Sequence, residues 1–369
     1  MFLDTVLVKV VSNCNLNCSY CYVYNSEDTS YKEQPNNMTF ETIELVSNSL
    51  IQQSKQQDIG FAIVIHGGEP LLLGIEKMKL LLSKLRNELT KNKFPIAIQT
   101  NGILINDEYI KLFLKYDATI SVSIDGNQSI NDLSRLDHKN NSSYLKVING
   151  IENLQDTKTG IFSGTLSVIH PQTNPQEVYS FFKSLNVSSA NFLMHDGNYD
   201  KLPYGKSSFE SLEYGKWIKQ LIKIYLSDEN PIEIPFIDEL IKTILGGNSV
   251  KEGIGEESYG IIIIETDGEI RKNDTLRSSY NGADFFEKRP NISNTTLNEI
   301  VKSSEFKEVM YLQSTLPEEC KRCNIVNICG GGMPLYRWSK VSLYNNPSVY
   351  CNDHKLYINY LKEILSDED

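Results

Sequence analysis

The chain has 369 residues, 40% of them hydrophobic, and a formal net charge of −11 at pH 7. This length can bury a core without disulfides, and the acidic balance argues against nucleic acid as a general partner. The sequence shows neither a signal peptide nor an apolar run of about 18 residues that would span a membrane. We therefore expect a cytoplasmic protein whose thiols stay reduced.

Short β-branched runs in the first 200 residues predict the strands of one parallel sheet, at Leu3–Val11, Phe61–His66, Pro95–Thr100, Ala118–Ile124, Phe162–Ile169 and Asn191–Met194. Stretches with helical periodicity separate them, at Phe40–Gln56, Ile75–Leu89, Asp107–Lys115, Ser143–Leu154 and Pro175–Ser184. Each such helix gives a right-handed crossover between parallel strands. The pattern predicts an α/β fold, a partial (β/α)6 barrel of the TIM type, which a helix at Phe209–Leu226 would close.

The pattern changes after this helix. Residues 230–257 are mixed helix and loop, and Tyr259–Ile264 and Glu269–Arg271 predict a hairpin with its turn at Asp267-Gly268. An amphipathic helix is predicted at Asn352–Leu365. We therefore expect a barrel domain at 1–228, a bridging region at 229–258 and a small α+β domain at 259–369.

The seven cysteines form two groups and leave none over. Cys14, Cys18 and Cys21 follow the first strand, and the other four are Cys320, Cys323, Cys329 and Cys351. Four thiolates complete the ligation of a [4Fe–4S] cube, whereas three leave one iron open to a small molecule. A structural zinc site is the alternative for the first group, although it needs a fourth ligand that is not evident nearby. Taken alone, the second group suits zinc and iron–sulfur equally well.

Three further motifs lie at the ends of the next three strands. They are His66-Gly67-Gly68-Glu69-Pro70, Gln99-Thr100-Asn101-Gly102 and Ser121-Val122-Ser123-Ile124-Asp125-Gly126. Each alone is as consistent with an ordinary strand-to-turn transition as with a site. Together they line the carboxyl-terminal mouth of the predicted barrel, which is where β/α barrels carry their active sites.

The C-x3-C-x2-C motif, in this position, resembles that of the radical S-adenosylmethionine (SAM) enzymes, and the resemblance extends along the whole chain. It implies a [4Fe–4S] cluster on the first three cysteines, with SAM bound at its open iron. It also implies a SAM site formed by Gly67, Gly68, Glu69, Pro70, Gln99, Thr100, Asn101, Ser123 and Asp125, with Arg135 on the SAM carboxylate and Tyr20, Val168 and Ile169 against the adenine. Arg135 is alternatively a surface arginine, and Val168 and Ile169 are equally good core residues.

The second cysteine group resembles the SPASM extension of radical SAM peptide and protein maturases, which ordinarily carries two auxiliary clusters. This chain departs from that pattern, because Asn273 and Met333 stand where cysteines are expected. The resemblance therefore implies one auxiliary [4Fe–4S] cluster, held by Cys320, Cys323, Cys329 and Cys351. It also implies that Asp274 is the base that deprotonates the substrate; the alternative is an ordinary loop carboxylate.

Longer stretches, among them Cys21-Tyr22-Val23-Tyr24-Asn25 and Glu265-Thr266-Asp267-Gly268, resemble the maturases that install three-residue cyclophanes in ribosomal peptides. The resemblance implies an external flavodoxin- or ferredoxin-type donor and a precursor peptide with a leader as substrate. A 5′-deoxyadenosyl radical would take a hydrogen from a peptide Cβ, and the carbon radical would attack an aromatic ring two positions earlier. Asp274 would remove the ring proton, and the auxiliary cluster would accept the remaining electron.

Three alternatives remain within the radical SAM class: thioether formation, epimerisation and formylglycine-type oxidation. Epimerases usually need a cysteine hydrogen donor, and no cysteine is left over; the lost auxiliary cluster counts against formylglycine formation. A non-catalytic iron–sulfur or zinc protein is a more distant alternative. Because the chain opens close to the first strand, we expect the leader to bind the barrel rim, residues 228–258 or a separate protein. His195 and Asp196, at the end of the sixth strand, are candidates for substrate contact.

Overall fold

The computed structural model describes residues 1–156 and 160–366, so residues 367–369 of the predicted C-terminal domain lie outside the described residues. The chain forms two compact units. The first comprises Met1–Ile124, Asn131–Ser163 and Tyr259–Met310, and the second comprises Asp125–Ile130, Gly164–Ser258 and Tyr311–Asp369. Among the described residues, no helix combines the length and the apolar character needed to cross a membrane.

The strands of the described chain are β1 (Thr5–Val11), β2 (Ala62–Gly67), β3 (Ile96–Thr100), β4 (Ala118–Ser123), β5 (Phe162–Val168), β6 (Ala190–Leu193), β7 (Ile261–Ile264) and β8 (Ile270–Arg271). The helices are α1 (Phe40–Ser54), α2 (Ile75–Glu88), α3 (Asp107–Lys115), α4 (Gln128–Asn131), α5 (Tyr144–Asp156), α6 (Pro175–Ser184), α7 (Glu213–Leu226), α8 (Pro235–Ile244), α9 (Leu297–Lys302), α10 (Ser304–Ser314), α11 (Val326–Cys329) and α12 (Cys351–Ser366). The predicted strands and helices are confirmed to within a few residues at each end. The main shift is that α7 begins at Glu213 rather than at Phe209.

The first unit is built on a sheet in which β4, β3, β2, β1, β7 and β8 follow one another in that order. Neighbouring strands are parallel in the series β4, β3, β2, β1 and β7, and β8 runs antiparallel to β7. This arrangement confirms the predicted α/β fold with a parallel central sheet. The second unit contains the parallel pair β5 and β6, with Thr165 opposite Ala190.

The two faces of the first sheet differ in polarity. On β1, Val6, Val8 and Val10 are fully buried on one face. Lys9 lies on the other face, opposite His66 of β2 in the parallel register. Because side chains of a strand alternate between the two faces, Lys9 and His66 point the same way, near the carboxyl ends of their strands.

The predicted hairpin is confirmed, and it extends the main sheet. β7 pairs with β1 from Thr5 opposite Ile261 to Val8 opposite Ile264, and Ile264 of β7 pairs with Ile270 of β8. Residues 259–310 therefore belong to the same compact unit as β1 to β4. This grouping differs from the boundaries expected from the sequence, and the division at 228 and 258 stays a prediction.

In the second unit, α12 packs against α7. A buried ion pair between Lys206 and Asp353 at 2.6 Å lies at this contact. The other carboxylate oxygen of Asp353 accepts a hydrogen bond from the backbone N–H of Gly215, also at 2.6 Å. The first turn of α12 is thus fixed to the beginning of α7 by a charged, fully buried side chain.

Candidate functional site

The loop that follows β1 carries Cys14, Cys18 and Cys21. The backbone N–H of Cys21 donates to the carbonyl of Cys18 at 3.0 Å, so the last two cysteines lie on one tight turn. The pKa of Cys14 is raised to about 12, mainly by burial, with smaller contributions from Glu69, Cys18 and Cys21. Cys18 and Cys21 therefore lie close to Cys14, and the free thiol of Cys14 keeps its proton at neutral pH. Coordination to iron is what converts such thiols to thiolates.

Glu69, in the motif His66–Pro70, joins the ends of β2 and β3. Its carboxylate accepts hydrogen bonds from the Thr100 hydroxyl at 2.7 Å, the Asn101 N–H at 2.8 Å and the Leu71 N–H at 3.0 Å. Burial raises the pKa of Glu69, and these three donors oppose that effect. The side-chain amide of Asn101 also lies 3.7 Å from Cys14 Sγ. The motifs His66–Pro70 and Gln99–Gly102 are therefore brought together beside the cysteine loop, as the sequence predicts.

Gly68, directly after β2, allows a close approach to the loop that carries the cysteines. A Cβ at this position would lie 2.0 Å from the carbonyl oxygen of Asn13 and 2.0 Å from the hydroxyl of Tyr24. The N–H of Gly68 donates to the carbonyl of Val11 at 2.8 Å. Any larger residue would push the motif away from Cys14, so the glycine is required by the space available.

Four more predicted SAM contacts lie in the first unit, as two hydrogen-bonded pairs. Arg135 is buried, donates to the hydroxyl of Tyr20 at 2.8 Å, and has its charge near Cys21. Gln99 donates to the hydroxyl of Ser123 at 2.9 Å, which ties the ends of β3 and β4. Their roles toward SAM stay predictions.

The remaining predicted SAM contacts lie in the second unit. Asp125 accepts a hydrogen bond from the N–H of Val168 at 3.0 Å, and Ile169 is 2% exposed. The other oxygen of Asp125 lies 3.7 Å from Nε2 of His170. Asp125 therefore fixes the end of β5, and its predicted role toward SAM is not tested by these contacts.

Asp274 lies in a buried polar cluster of the first unit. It is 6% exposed, accepts a hydrogen bond from the hydroxyl of Tyr22, and lies 3.2 Å from the ammonium group of Lys9. Burial opposes ionisation, yet the charge of Lys9 and the hydrogen bond from Tyr22 hold the pKa of Asp274 below its ordinary value. Asp274 is therefore an ionised carboxylate at neutral pH. Because Tyr22 follows Cys21 directly, this carboxylate lies next to the cysteine loop.

Further charges hold this cluster in place. Glu265 lies 3.4 Å from Lys9 and 2.8 Å from the guanidinium of Arg277. Arg277 is 1% exposed and also lies 3.3 Å from Asp284. The backbone turn that carries Asp274 is capped by Asn273, whose side chain accepts from the Thr275 N–H at 3.1 Å. The residue that replaces the expected cysteine therefore has a local structural role beside the candidate base.

The four cysteines of the second group line one cavity in the second unit. Its volume is about 290 Å³ including the open mouth, and Ile325, Val326, Gly331 and Ser348 complete its lining. Burial raises the pKa of Cys320 to about 11 and that of Cys329 to about 12. The donor set, four sulfurs around one cavity, fits a closed [4Fe–4S] cube.

Two basic side chains accompany these cysteines. Nδ1 of His354 lies 3.1 Å from Cys329 Sγ. Arg337 is fully buried, and its charge favours the ionised forms of Cys320 and Cys329. Burial lowers the pKa of His354 to about 4, so its imidazole is neutral.

Within the described residues, no three His, Cys, Asp or Glu side chains converge closely enough to hold a single metal ion. A [4Fe–4S] cluster needs its cysteine ligands farther apart than a single metal ion does, because each thiolate binds a different iron atom.

Four polar residues that lie beside candidate site residues have no role predicted from the sequence, although His66 and Tyr22 stand within its motifs. Lys9, Tyr22 and His66 surround Asp274, and His354 contacts Cys329. One signal was visible, since Lys9 is a lone charge within the apolar run of β1. The contacts of Tyr22 and His66 with Asp274, and of His354 with Cys329, have no local signal, because the partners lie far apart along the chain.

The chain matches the model of the radical SAM superfamily over residues 8–185. It is 26% identical to a cysteine-type anaerobic sulfatase-maturating enzyme of Clostridium perfringens, with 96% of this chain and 95% of the relative covered. An uncharacterised protein of Methanothermobacter thermautotrophicus is 30% identical over 247 residues, which cover 64% of this chain and 85% of that protein.

A solved structure, native anSMEcpe with bound AdoMet and the Cp18Cys peptide, has the same fold. It superimposes with a TM-score of 0.84 at 25% identity, covering 99% of both chains. The expectation of an enzyme of this class, built on a parallel α/β sheet, is thereby confirmed. With a three-cysteine loop after its first strand, a family match over residues 8–185 and sulfatase-maturating relatives matched along nearly its whole length, the chain belongs to the radical SAM superfamily and is a radical SAM oxidoreductase.

Proposed function

We propose that this enzyme is a peptide maturase that joins the Cβ of one residue to an aromatic side chain, forming a three-residue cyclophane in a ribosomally made precursor. The observation that carries the proposal is the ionised carboxylate of Asp274, held by Lys9 and Tyr22 in the same unit as the cysteine loop. A peptide substrate is supported by the related anSMEcpe structure, which contains a bound peptide.

The first three cysteines would hold a cluster, with SAM in the surroundings of Gly68, Glu69 and Arg135. When bound, these groups supply the 5′-deoxyadenosyl radical that takes a hydrogen atom from the substrate. The protein's own contribution is position. Glu69 fixes two strand ends beside Cys14, and Gly68 lets them approach. Such fixed elements hold a target C–H bond near the reacting atom and exclude water.

Asp274 would act as the base at the second stage. A ring that has formed a new bond at carbon must lose a proton to become aromatic again, and that proton is strongly acidic. A carboxylate with a lowered pKa is sufficient for such a proton, because only the ionised form is needed. The hydrogen bond from Tyr22 and the charge of Lys9 fix one oxygen of Asp274, which orients the other.

The second cysteine group would hold one auxiliary cluster, which supplies one-electron transfer chemistry when bound. An external donor of the flavodoxin or ferredoxin type and a cytoplasmic location complete the proposal. The leader is proposed to bind the barrel rim, residues 228–258 or a separate protein.

A second candidate function is formylglycine-type oxidation of a cysteine or serine, which the sulfatase-maturating relatives favour. It needs the same two actions, removal of a Cβ hydrogen and removal of a proton by a base. Asn273 and Met333 count against it, because the SPASM maturases ordinarily hold a second auxiliary cluster at these positions.

One experiment separates the two. The reconstituted enzyme is incubated anaerobically with SAM, dithionite and either the peptide encoded by a short reading frame beside the gene or a cysteine-containing sulfatase peptide. Loss of two hydrogens, with a ring–Cβ bond in tandem mass spectra and no aldehyde trapped by hydroxylamine, supports the cyclophane. A hydroxylamine-reactive product from the sulfatase peptide alone would refute it and establish the second candidate.

A further inference from the structure

The first turn of α12 serves the second cysteine group in two ways. Cys351 is the first residue of this helix, and His354 lies one turn later. Nδ1 of His354 lies 3.1 Å from the sulfur of Cys329, which comes from α11. The imidazole is 3% exposed, and its faces and edges lie against Tyr350 and Tyr357. One helical turn therefore supplies a cysteine and a polar contact to a second cysteine.

The hydrogen of this contact can be assigned from the chemistry of the pair. A cysteine that binds iron does so as a thiolate, which has no proton and can only accept a hydrogen bond. Nδ1 of His354 must then carry the hydrogen, and the contact is N–H···S. The tautomer of a histidine is set by such a partner, here the sulfur of Cys329.

The geometry of this donor is fixed by its neighbours rather than by the histidine alone. Asp353, the preceding residue, is bound to Lys206 at 2.6 Å and to the N–H of Gly215 at 2.6 Å. All of these groups are buried or belong to the backbone of α7, so α12 cannot rotate freely about its axis. His354 is therefore held against Cys329 by contacts made on another side of the helix.

Arg337 acts on the same sulfurs. Its guanidinium donates to the backbone carbonyls of Thr315 and Leu312, and its charge lies near Cys320 and Cys329. A buried positive charge and an N–H donor both favour added negative charge on the sulfurs. Arg337 and His354 should therefore shift the reduction potential of a bound cluster in the same direction.

We propose that His354 is a positioning residue that, through an Nδ1–H hydrogen bond to Cys329, raises the reduction potential of the cluster held by Cys320, Cys323, Cys329 and Cys351. The inference rests on the auxiliary cluster of the proposed function. One-electron reduction spreads negative charge onto the sulfurs, so a donor stabilises the reduced cluster more than the oxidised one. This effect makes the closed cluster a better electron acceptor.

The test uses the full chain with Cys14, Cys18 and Cys21 changed to alanine, so that any cluster signal comes from the second group. Iron content is measured first: about four irons per chain show that the auxiliary cluster exists, and none would refute the cluster itself. The reduction potential is then measured by titration followed by electron paramagnetic resonance. The variants are His354→Phe, which keeps a buried ring without a donor, and His354→Asn, which restores an N–H donor.

His354→Phe should shift the ratio of reduced to oxidised cluster at least about threefold, and up to about tenfold, toward oxidised at a fixed potential; tenfold corresponds to about 59 mV for a one-electron couple. His354→Asn should recover most of this shift. His195→Phe is the matched control, because His195 is also buried but its ring lies against His170 and Tyr204. An unchanged potential in His354→Phe, or an equal shift in the control, would overturn the proposal.

A measurement on the unsubstituted histidine covers the case in which His354→Phe loses iron. In protein labelled with ¹⁵N-histidine, pulsed resonance of the reduced auxiliary cluster should show a weak coupling to a histidine nitrogen. The coupling should disappear when His354 is changed to Asn. A spectrum without any histidine coupling rejects the hydrogen bond and with it the proposal.

Discussion

Asp274→Asn is the substitution that tests the proposed mechanism most directly. Asparagine keeps the shape of the side chain and removes only its negative charge. The generation of 5′-deoxyadenosine should continue, because Asp274 is no part of the cysteine loop or of the Glu69 contacts. Formation of the crosslinked peptide should fall, since the ring proton then has no base.

The size of the effect can be worked out from the structure. Loss of a positioned general base costs about 10²- to 10⁴-fold in rate, which is about 2.7–5.4 kcal/mol of activation free energy. Stability should change less. Breaking a buried ion pair costs about 3–5 kcal/mol, but Lys9 keeps Glu265 at 3.4 Å, so we expect a loss below about 3 kcal/mol.

The assay measures 5′-deoxyadenosine and crosslinked peptide by mass spectrometry, together with a urea unfolding curve for each variant. Asp267→Asn is the control, because Asp267 is an exposed carboxylate in the turn of the same hairpin region. It should leave both products unchanged. A rate of crosslinking in Asp274→Asn above about a tenth of the wild-type rate would refute the role of Asp274.

The pH dependence follows from the lowered pKa of Asp274. Its folded pKa lies below the unfolded value, so the stability that the ionised carboxylate contributes is fully present above the unfolded pKa, near 4, and is lost as the pH falls through the folded pKa. Between about pH 6 and 8, Asp274 should therefore add no limb to the rate profile. A limb in this range that disappears in Asp274→Asn would contradict the assignment.

Three further changes test the second unit. Lys206→Met should lower the free energy of unfolding, measured by urea titration, by about 3–5 kcal/mol, because it leaves a buried carboxylate unpaired. Lys183→Met, which breaks a partly exposed ion pair, should lower it by at most about 1 kcal/mol. Gly330→Ala should destabilise the protein much more than Gly246→Ala. Both glycines have positive φ, but a Cβ at position 330 would lie 1.7 Å from a backbone oxygen, whereas the space at position 246 is open. Equal urea unfolding midpoints for the two variants would disprove the clash. Cys351→Ala should lower iron from about eight to about four per chain, and unchanged iron would exclude Cys351 as a ligand.

Much of the first unit could be predicted from local patterns. β-branched runs and helical periodicity give the alternation of strands and helices, because each depends only on residues a few positions apart. The order of cysteines and the motifs at strand ends could also be placed, since parallel strands bring their carboxyl ends to one edge. Glu69, Thr100 and Asn101 meet there as expected.

Other features depend on contacts that no local pattern encodes. The hairpin of β7 and β8 was predicted, but its pairing with β1 was not, because backbone hydrogen bonds form with any strand edge that the fold presents. The same holds for His354 and Cys329, which are 25 positions apart and come together where α12 contacts α11.

The sequence by itself determined the chemical inventory of this enzyme: three cysteines after the first strand, four near the end, and a carboxylate at 274. Only the tertiary structure decided the state of that carboxylate. Tyr22 lies 252 positions from Asp274 in the chain, and Lys9 lies farther still, yet together they keep it ionised in a buried site. The reason is physical, since the pKa of a buried group is set by burial and by charges within a few ångströms, whatever their distance along the chain.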